Sequence, residues 1–316
     1  MSSRVEWIDW AKFVGIALVI YAHIPNAFFG SFAFLFHMPF FFMLSGYLYK
    51  VRPFKEEIKR SWKALLVPYL AYNSLIFIIT PPHPVEFKSF LYVLSGNQEM
   101  LPGNLRAMWF LVSLLIMRLV SSVLNSRMYV ASALTFFVAV VLIRVGWFKE
   151  EYDFFQIKTT MLCYQFFVFG YALKNIPSLD LFKHVNKIAS YSICVIGIIL
   201  LLLIGWKYVG TVNLFRGKMG DSIMLFLMVS YGVSYLLIKL FQLSHLKGNE
   251  VIKRYSSGTI FIVCTHQTLI LVICHFISCD RFIVPILITI LILILSYPAI
   301  ILLEKYCPFM LGKRKL

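Results

Sequence analysis

Two of the seven histidines of the chain, His23 and His37, stand in the apolar stretch KFVGIALVIYAHIPNAFFGSFAFLFHMPFFFMLSGYLYK, residues 12–50. Imidazole is the side chain best suited to moving a proton near neutral pH. In hydrocarbon it is costly, so it marks either a hydrogen-bonded packing contact or a polar pathway. Asp9, Lys12, Ile16, Val19 and His23 step by three and four residues and therefore share one helical stripe. Lys12 and His23 are close to three turns apart, roughly 16 Å along the axis. For Asp9 and Lys12 a local ion pair that merely neutralises both competes with a functional reading. His266, in IFIVCTHQTLI, falls near the middle of a later apolar segment. For it and for His275 a packing role competes evenly with a functional one, whereas His83, His184 and His245 fall in connections.

The elements that carry these residues follow from composition. Hydrophobic residues make up 60% of the 316, charged residues only 14%, and the mean hydropathy is +0.82, which excludes an ordinary soluble domain. Apolar runs of spanning length recur from residue 7 to residue 303 and leave no room for a separate soluble domain, so residues 1–316 read as a single membrane domain. The formal charge of +16 belongs to cationic loops that set topology and meet anionic lipid, not to a nucleic-acid surface. The six cysteines show no CxxC spacing and lie mostly in apolar runs, where Cys acts as a small hydrophobe. The first apolar segment lacks a cleavage site and reads as a retained span.

With about 20 residues per span, the sequence predicts an all-α fold of about ten transmembrane helices. They cover residues 7–24, 32–49, 64–80, 107–124, 129–148, 158–175, 188–207, 219–240, 256–279 and 281–303. The segment 81–106, with PPHP and SGNQEMLPGN, is the longest connection, and its Pro and Gly rule out a continuous helix there. Placing both termini in the cytoplasm puts more than twice as many Lys and Arg inside as outside, which supports an N-in, C-in orientation. Asp9 and Lys12 then lie near the cytoplasmic mouth. His23 and His37 meet at the outer level across a short hairpin, and Ser45 and Gly46 sit about two turns deeper.

A buried imidazole is a natural general base for a hydroxyl nucleophile, and that chemistry needs an acyl donor. The expected cytoplasmic loop KVRPFKEEIKRSWK, residues 50–63, supplies Arg52, Lys59, Arg60 and Lys63, suited to the phosphates of coenzyme A. As a bare positive-inside loop it needs no such role, and the tail GKRKL adds three more cations on the same side.

RVEWIDWAKFVGIALVIYAH resembles the opening of the acyltransferase-3 family of membrane O-acyltransferases, with a basic residue, ten intervening residues and His, here Lys12 and His23. Lys12 stands where Arg is more common, which replaces a forked donor by a point charge. FHMPFFFMLSGYLYK is similar to that family's second signature, His-Met-Pro followed by Phe-Phe-x-x-Ser-Gly. Weaker likenesses are KRSWKALLVPYL, MWFL at 108–111 and YSSGTIFIVCTHQ. The resemblance implies ten membrane helices, a cytoplasmic acyl-CoA donor, commonly acetyl-CoA, no metal, and transfer to a hydroxyl of a cell-surface glycan or lipid-linked sugar. Some relatives carry an extracytoplasmic esterase-like domain; none is expected here, since the sequence given ends 13 residues after the tenth predicted span.

His23 is then expected as the base, with His37 orienting it or stabilising the oxyanion, and a transient acyl-histidine left open. Ser45 joins Arg52, Lys59, Arg60 and Lys63 on the donor side, while His266, Trp109, Tyr69 and Asn73 stand as accessory candidates. Expected partners are membrane lipids, the sugar acceptor and other polysaccharide-synthesis proteins, in a bacterial inner membrane. The rival class is a secondary transporter or exporter using Asp9, Lys12 and His23 as a proton relay, which calls for broken helices in two matching halves. A scaffold in a polysaccharide-synthesis complex is the third reading.

Overall fold

The computed structural model describes residues 5–79, 87–96, 103–146 and 153–313. His83, residues 81–86 and 97–102 of the expected connection and the end of the GKRKL tail lie outside them. The chain is almost wholly helical. Helix α1 is Glu6–His23, α2 Gly30–Phe34, α3 His37–Leu48, α4 Phe54–Ser61, α5 Val67–Ile79 and α6 Phe87–Leu94. There follow α7 Trp109–Leu124, α8 Met128–Arg144, α9 Ile157–Asn175 and α10 Lys187–Tyr208. The last four are α11 Ile223–Ser244, α12 Glu250–Ser257, α13 Thr259–Phe276 and α14 Ile283–Tyr306. The described strands are β1, Val212–Asn213, and β2, Lys218–Met219, an antiparallel pair with Val212 opposite Met219.

Among the described residues, seven helical stretches are long and apolar enough to cross a membrane. That is fewer than the ten expected. The stretch Arg106–Arg144 joins two expected spans and is divided only at Asn125, where φ is +48°. Helices α1, with Glu6, Asp9 and Lys12, and α9, with Lys158, Gln165 and Lys174, are more polar than the other helices of spanning length. Both are heavily buried within the bundle, where other helices shield their polar groups from lipid.

Three predicted elements are corrected. The expected span 32–49 is two helices, because Pro39 has no N–H for a bond to Leu35 and sits instead in the first turn of a restarted helix. The Leu35 carbonyl exposed by the break accepts from the Ser230 hydroxyl of α11 at 2.6 Å. The expected loop 50–63 is largely helix α4, which runs through a wide π turn at Trp62–Leu66 into α5. Pro68 explains the widening, since its ring collides with the carbonyl four residues back in a regular helix. The expected span 256–279 breaks at Gly258, where a Cβ would stand 2.4 Å from Ile300, and α12 precedes it as a separate amphipathic helix.

The tightest backbone approach joins α3 to α9. A Cβ on Gly46 would lie 1.8 Å from the Phe167 carbonyl oxygen, and one on Gly170 2.0 Å from that of Met43. Small residues let two membrane helices touch backbone to backbone and gain dispersion contact along their length. Around this contact Phe42, Met43, Phe166 and Phe167 are fully enclosed.

Candidate functional site

Three helices each present one imidazole to the same place. His23 ends α1, His37 begins α3, and His266 lies midway along α13. The His23 ring centroid is 6.1 Å from that of His37 and 5.0 Å from that of His266. Phe34 lies edge-on to both His23 and His37, at 5.4 and 5.2 Å. His37 is 4% exposed and His266 1%; His23 is half-buried.

Each ring is fixed in the same way. Nδ1 of His23 donates to the Val19 carbonyl at 2.8 Å, and Nδ1 of His37 to the Ala33 carbonyl at 2.7 Å. Nδ1 of His266 is shared between the carbonyls of Ile262 and Val263, at 3.0 and 2.9 Å. A carbonyl can only accept, so the proton belongs on Nδ1, and a neutral ring of this tautomer carries its lone pair on Nε2. Three imidazoles are thus set as Nε2 acceptors. Nε2 of His266 is buried with no protein partner, as is Oε1 of the adjacent Gln267, and buried polar atoms of this kind call for a ligand or water.

The rings line a cavity of about 330 Å³. Its walls come from α1, the α2–α3 break, the start of α7 with Trp109 and Phe110, the β1–β2 hairpin and α13. The hairpin turns on Gly217, at φ +71°, and Asn213 closes it by accepting from the Arg216 backbone N–H at 3.2 Å. It is seated against α9, where the Thr159 hydroxyl lies 3.2 Å from the Phe215 carbonyl, and against α7, with the Trp109 and Phe215 rings 6.2 Å apart. Arg106 and Arg216 also reach the cavity. Among the described residues its lining holds no carboxylate, and no group of three or more His, Cys, Asp or Glu is placed to hold a metal ion.

Of the residues singled out from the sequence, the structure brings His23, His37, His266 and Trp109 together at this cavity. Asp9 and Lys12 lie on α1 toward the other end of the bundle, Asp9 buried. Between the two levels Ile16 is fully enclosed, and the Phe41 ring rests on Gly15. Ser45 is half-buried in α3. Tyr69 donates its hydroxyl to the Val93 carbonyl at 2.7 Å, and the Asn73 amide donates to the Tyr69 carbonyl at 2.8 Å, leaving Asn73 Oδ1 buried and unpartnered. Lys59, Arg60 and Lys63 are exposed at the end opposite the cavity.

Arg52 belongs to a different arrangement. The fully buried carboxylate of Glu57 accepts from Arg118 Nε and Nη2, both at 2.7 Å, and from the Ser61 hydroxyl at 2.7 Å. Arg52 adds Nη1 at 3.5 Å from Glu57 and Nε at 3.5 Å from Glu56. These pairs tie α4 to α7.

Reading the sequence alone missed Arg106, Arg216, Asn213 and Gln267. Gln267 was visible as the residue after His266, in a segment otherwise apolar. Nothing in the sequence places the 213–216 turn inside the bundle rather than on its surface.

Residues 5–305, nearly the whole chain, match the family described as an acyltransferase domain, acyltransferase-3. Neither the curated proteins nor the solved structures contain a match to the chain. A helical bundle with seven membrane-length apolar stretches, matched to that family over nearly all its length, is a multi-pass membrane acyltransferase, and the chain belongs to the acyltransferase-3 family.

Proposed function

We propose that the protein moves an acyl group, acetyl in the simplest case, from cytoplasmic acyl-CoA to a hydroxyl of a cell-surface glycan or lipid-linked sugar. The observation that carries this reading is the convergence of three imidazoles, each tied through Nδ1 to a helix carbonyl, on one cavity. His23 Nε2 takes the acceptor hydroxyl proton as the new C–O bond forms at the thioester carbonyl. The Gln267 side-chain N–H donates to the developing oxyanion, and His37, an acceptor at Nε2, orients the sugar hydroxyl. When the intermediate collapses the C–S bond breaks, and His23 returns its proton to the departing thiolate of coenzyme A. Trp109 offers the sugar a flat apolar face.

The cavity lies at the end of the bundle that the distribution of Lys and Arg assigns to the outside. The exposed Lys59, Arg60 and Lys63 at the other end suit the donor's phosphates. Extended pantetheine covers the roughly 16 Å between the Lys12 and His23 levels. Its route passes Ile16 and the Phe41 ring, so donor binding requires that ring to swing off Gly15. Orientation in a bacterial inner membrane, beside other polysaccharide-synthesis proteins, follows from the same reading.

Purified protein in detergent, given labelled acetyl-CoA and candidate sugar acceptors, tests it. Label transferred to the sugar, or slowly to water, is the expected result. A transporter needs a sealed vesicle and shows no transfer under these conditions. The same protein with His23→Ala should transfer nothing above the solvent rate.

A further inference from the structure

Cys274 and Cys279 are separated by five residues, one in the last turn of α13 and the other in the turn that leads to α14. Their sulfurs stand 3.1 Å apart, about 1 Å beyond a disulfide bond length. Both thiols are free in the structure. Cys279 is buried and Cys274 half-buried, so one sulfur is reachable from solvent and the second is held behind it.

The segment they bracket is a fastening point. Asp280 accepts from the Asn26 side-chain amide at 3.1 Å and from the Ser278 hydroxyl at 2.5 Å. Phe282 packs on Phe28 and Phe29, with ring centroids 6.0 and 5.9 Å apart. Asn26, Phe28 and Phe29 belong to the turn between α1 and α2, which separates His23 from His37. The 277–282 turn therefore lies over the hairpin that sets two of the three imidazoles. That end of the bundle is the one read as extracytoplasmic, and disulfides form and persist outside the cytosol.

We propose that Cys274 and Cys279 form a disulfide in the mature protein and that this bond, closed within one segment, holds the α13–α14 turn in the shape that clamps it onto the α1–α2 turn. The Cys274 thiolate attacks the disulfide of an extracytoplasmic thiol oxidant, giving a mixed disulfide and releasing one oxidant thiol. The Cys279 thiolate then attacks the Cys274 sulfur, closing the Cys274–Cys279 bond and releasing the second thiol. Two electrons and the two protons of the protein thiols pass to the oxidant. The bond stabilises by restricting the unfolded and locally opened states. Neither step depends on acyl transfer, so the clamp and the enzymatic reading stand or fall separately.

The test uses full-length protein from native membranes, treated with N-ethylmaleimide before lysis and again during denaturation without reductant, then digested. Trypsin leaves Cys264, Cys274 and Cys279 on one fragment, so chymotrypsin is added to cut after Phe276, between the last two. The expected result is a linked pair of peptides carrying Cys274 and Cys279, separated by reductant, with Cys163, Cys194, Cys264 and Cys307 alkylated. Cys274 and Cys279 both alkylated without reduction overturns the proposal. Hydrogen exchange of residues 24–29 and 277–282 should quicken at least tenfold on reduction, and the Cys274→Ser/Cys279→Ser variant should exchange as the reduced protein does. Unchanged exchange overturns the clamp.

Discussion

At the Glu57 end of the bundle a buried carboxylate is met by two guanidinium groups and a hydroxyl, and the charges there satisfy one another. At the His23 end the contacts are of another kind. Each imidazole bonds only to its own helix or to the short helix before it, through one nitrogen, and the other nitrogen is left for something the protein does not supply. The first arrangement fixes where α4 meets α7; the second holds acceptors in position at some cost in unsatisfied groups. The basic segment 50–63 divides along the same line: Arg52 is taken up with Glu56 and Glu57, while Lys59 and Lys63 face solvent.

Four variants sharpen or break this contrast. His23→Ala removes the proposed proton acceptor and should lower kcat by about 10³-fold or more, in the range of a general base. Expression and elution volume should be unchanged. Near-normal turnover in that variant would move the chemistry away from His23. Gly170→Ala places a methyl group against the Met43 carbonyl and should reduce the yield of folded protein sharply, by roughly 3 kcal/mol of stability. Fluorescence-detected gel filtration reads this, and a normal monodisperse peak would show that α3 and α9 can separate without loss.

Glu57→Gln leaves Arg118 with a weaker partner and should lower the midpoint of thermal unfolding, by about 2 kcal/mol in stability. Turnover by the protein that remains folded should be normal. A catalytic loss with unchanged melting would instead tie this cluster to the reaction. The smallest change is expected of Arg60→Gln with Lys63→Gln, a several-fold rise in the apparent KM for acetyl-CoA with kcat preserved. The rise should shrink as salt screens the phosphates. An unchanged KM returns these cations to setting topology alone.

The helices were legible because length and apolarity are local quantities: each predicted span coincides with helix to within a few residues wherever the structure describes both ends. What escaped was the breaks. Pro39 and Pro68 lie inside runs of uninterrupted hydrophobic residues, and the apolar pattern outweighs a single imino acid when hydropathy is averaged over a span. Gly258 stands near the start of the expected span 256–279, and only the closeness of Ile300 marks it as a break. At the cavity, His23 and His37 could be paired from the sequence because a short hairpin joins them. His266 could be assigned a depth but not a neighbour, since nothing local says which way the middle of α13 faces. Arg216 and Asn213 were hidden for a related reason, because a polar connection between two apolar helices is normally drawn outside the bundle.

The inward-folded turn at residues 213–216 separates two properties of the protein. The imidazoles sit on α1, α3 and α13, and the hairpin belongs to the connection between α10 and α11. It forms one wall of the cavity and carries none of the rings. A replacement of Leu214, Phe215 and Arg216 can therefore reshape what the cavity admits while His23, His37 and His266 keep their places. Chimeras that swap only residues 212–219 between relatives should alter acceptor preference and leave the arrangement of the three imidazoles unchanged.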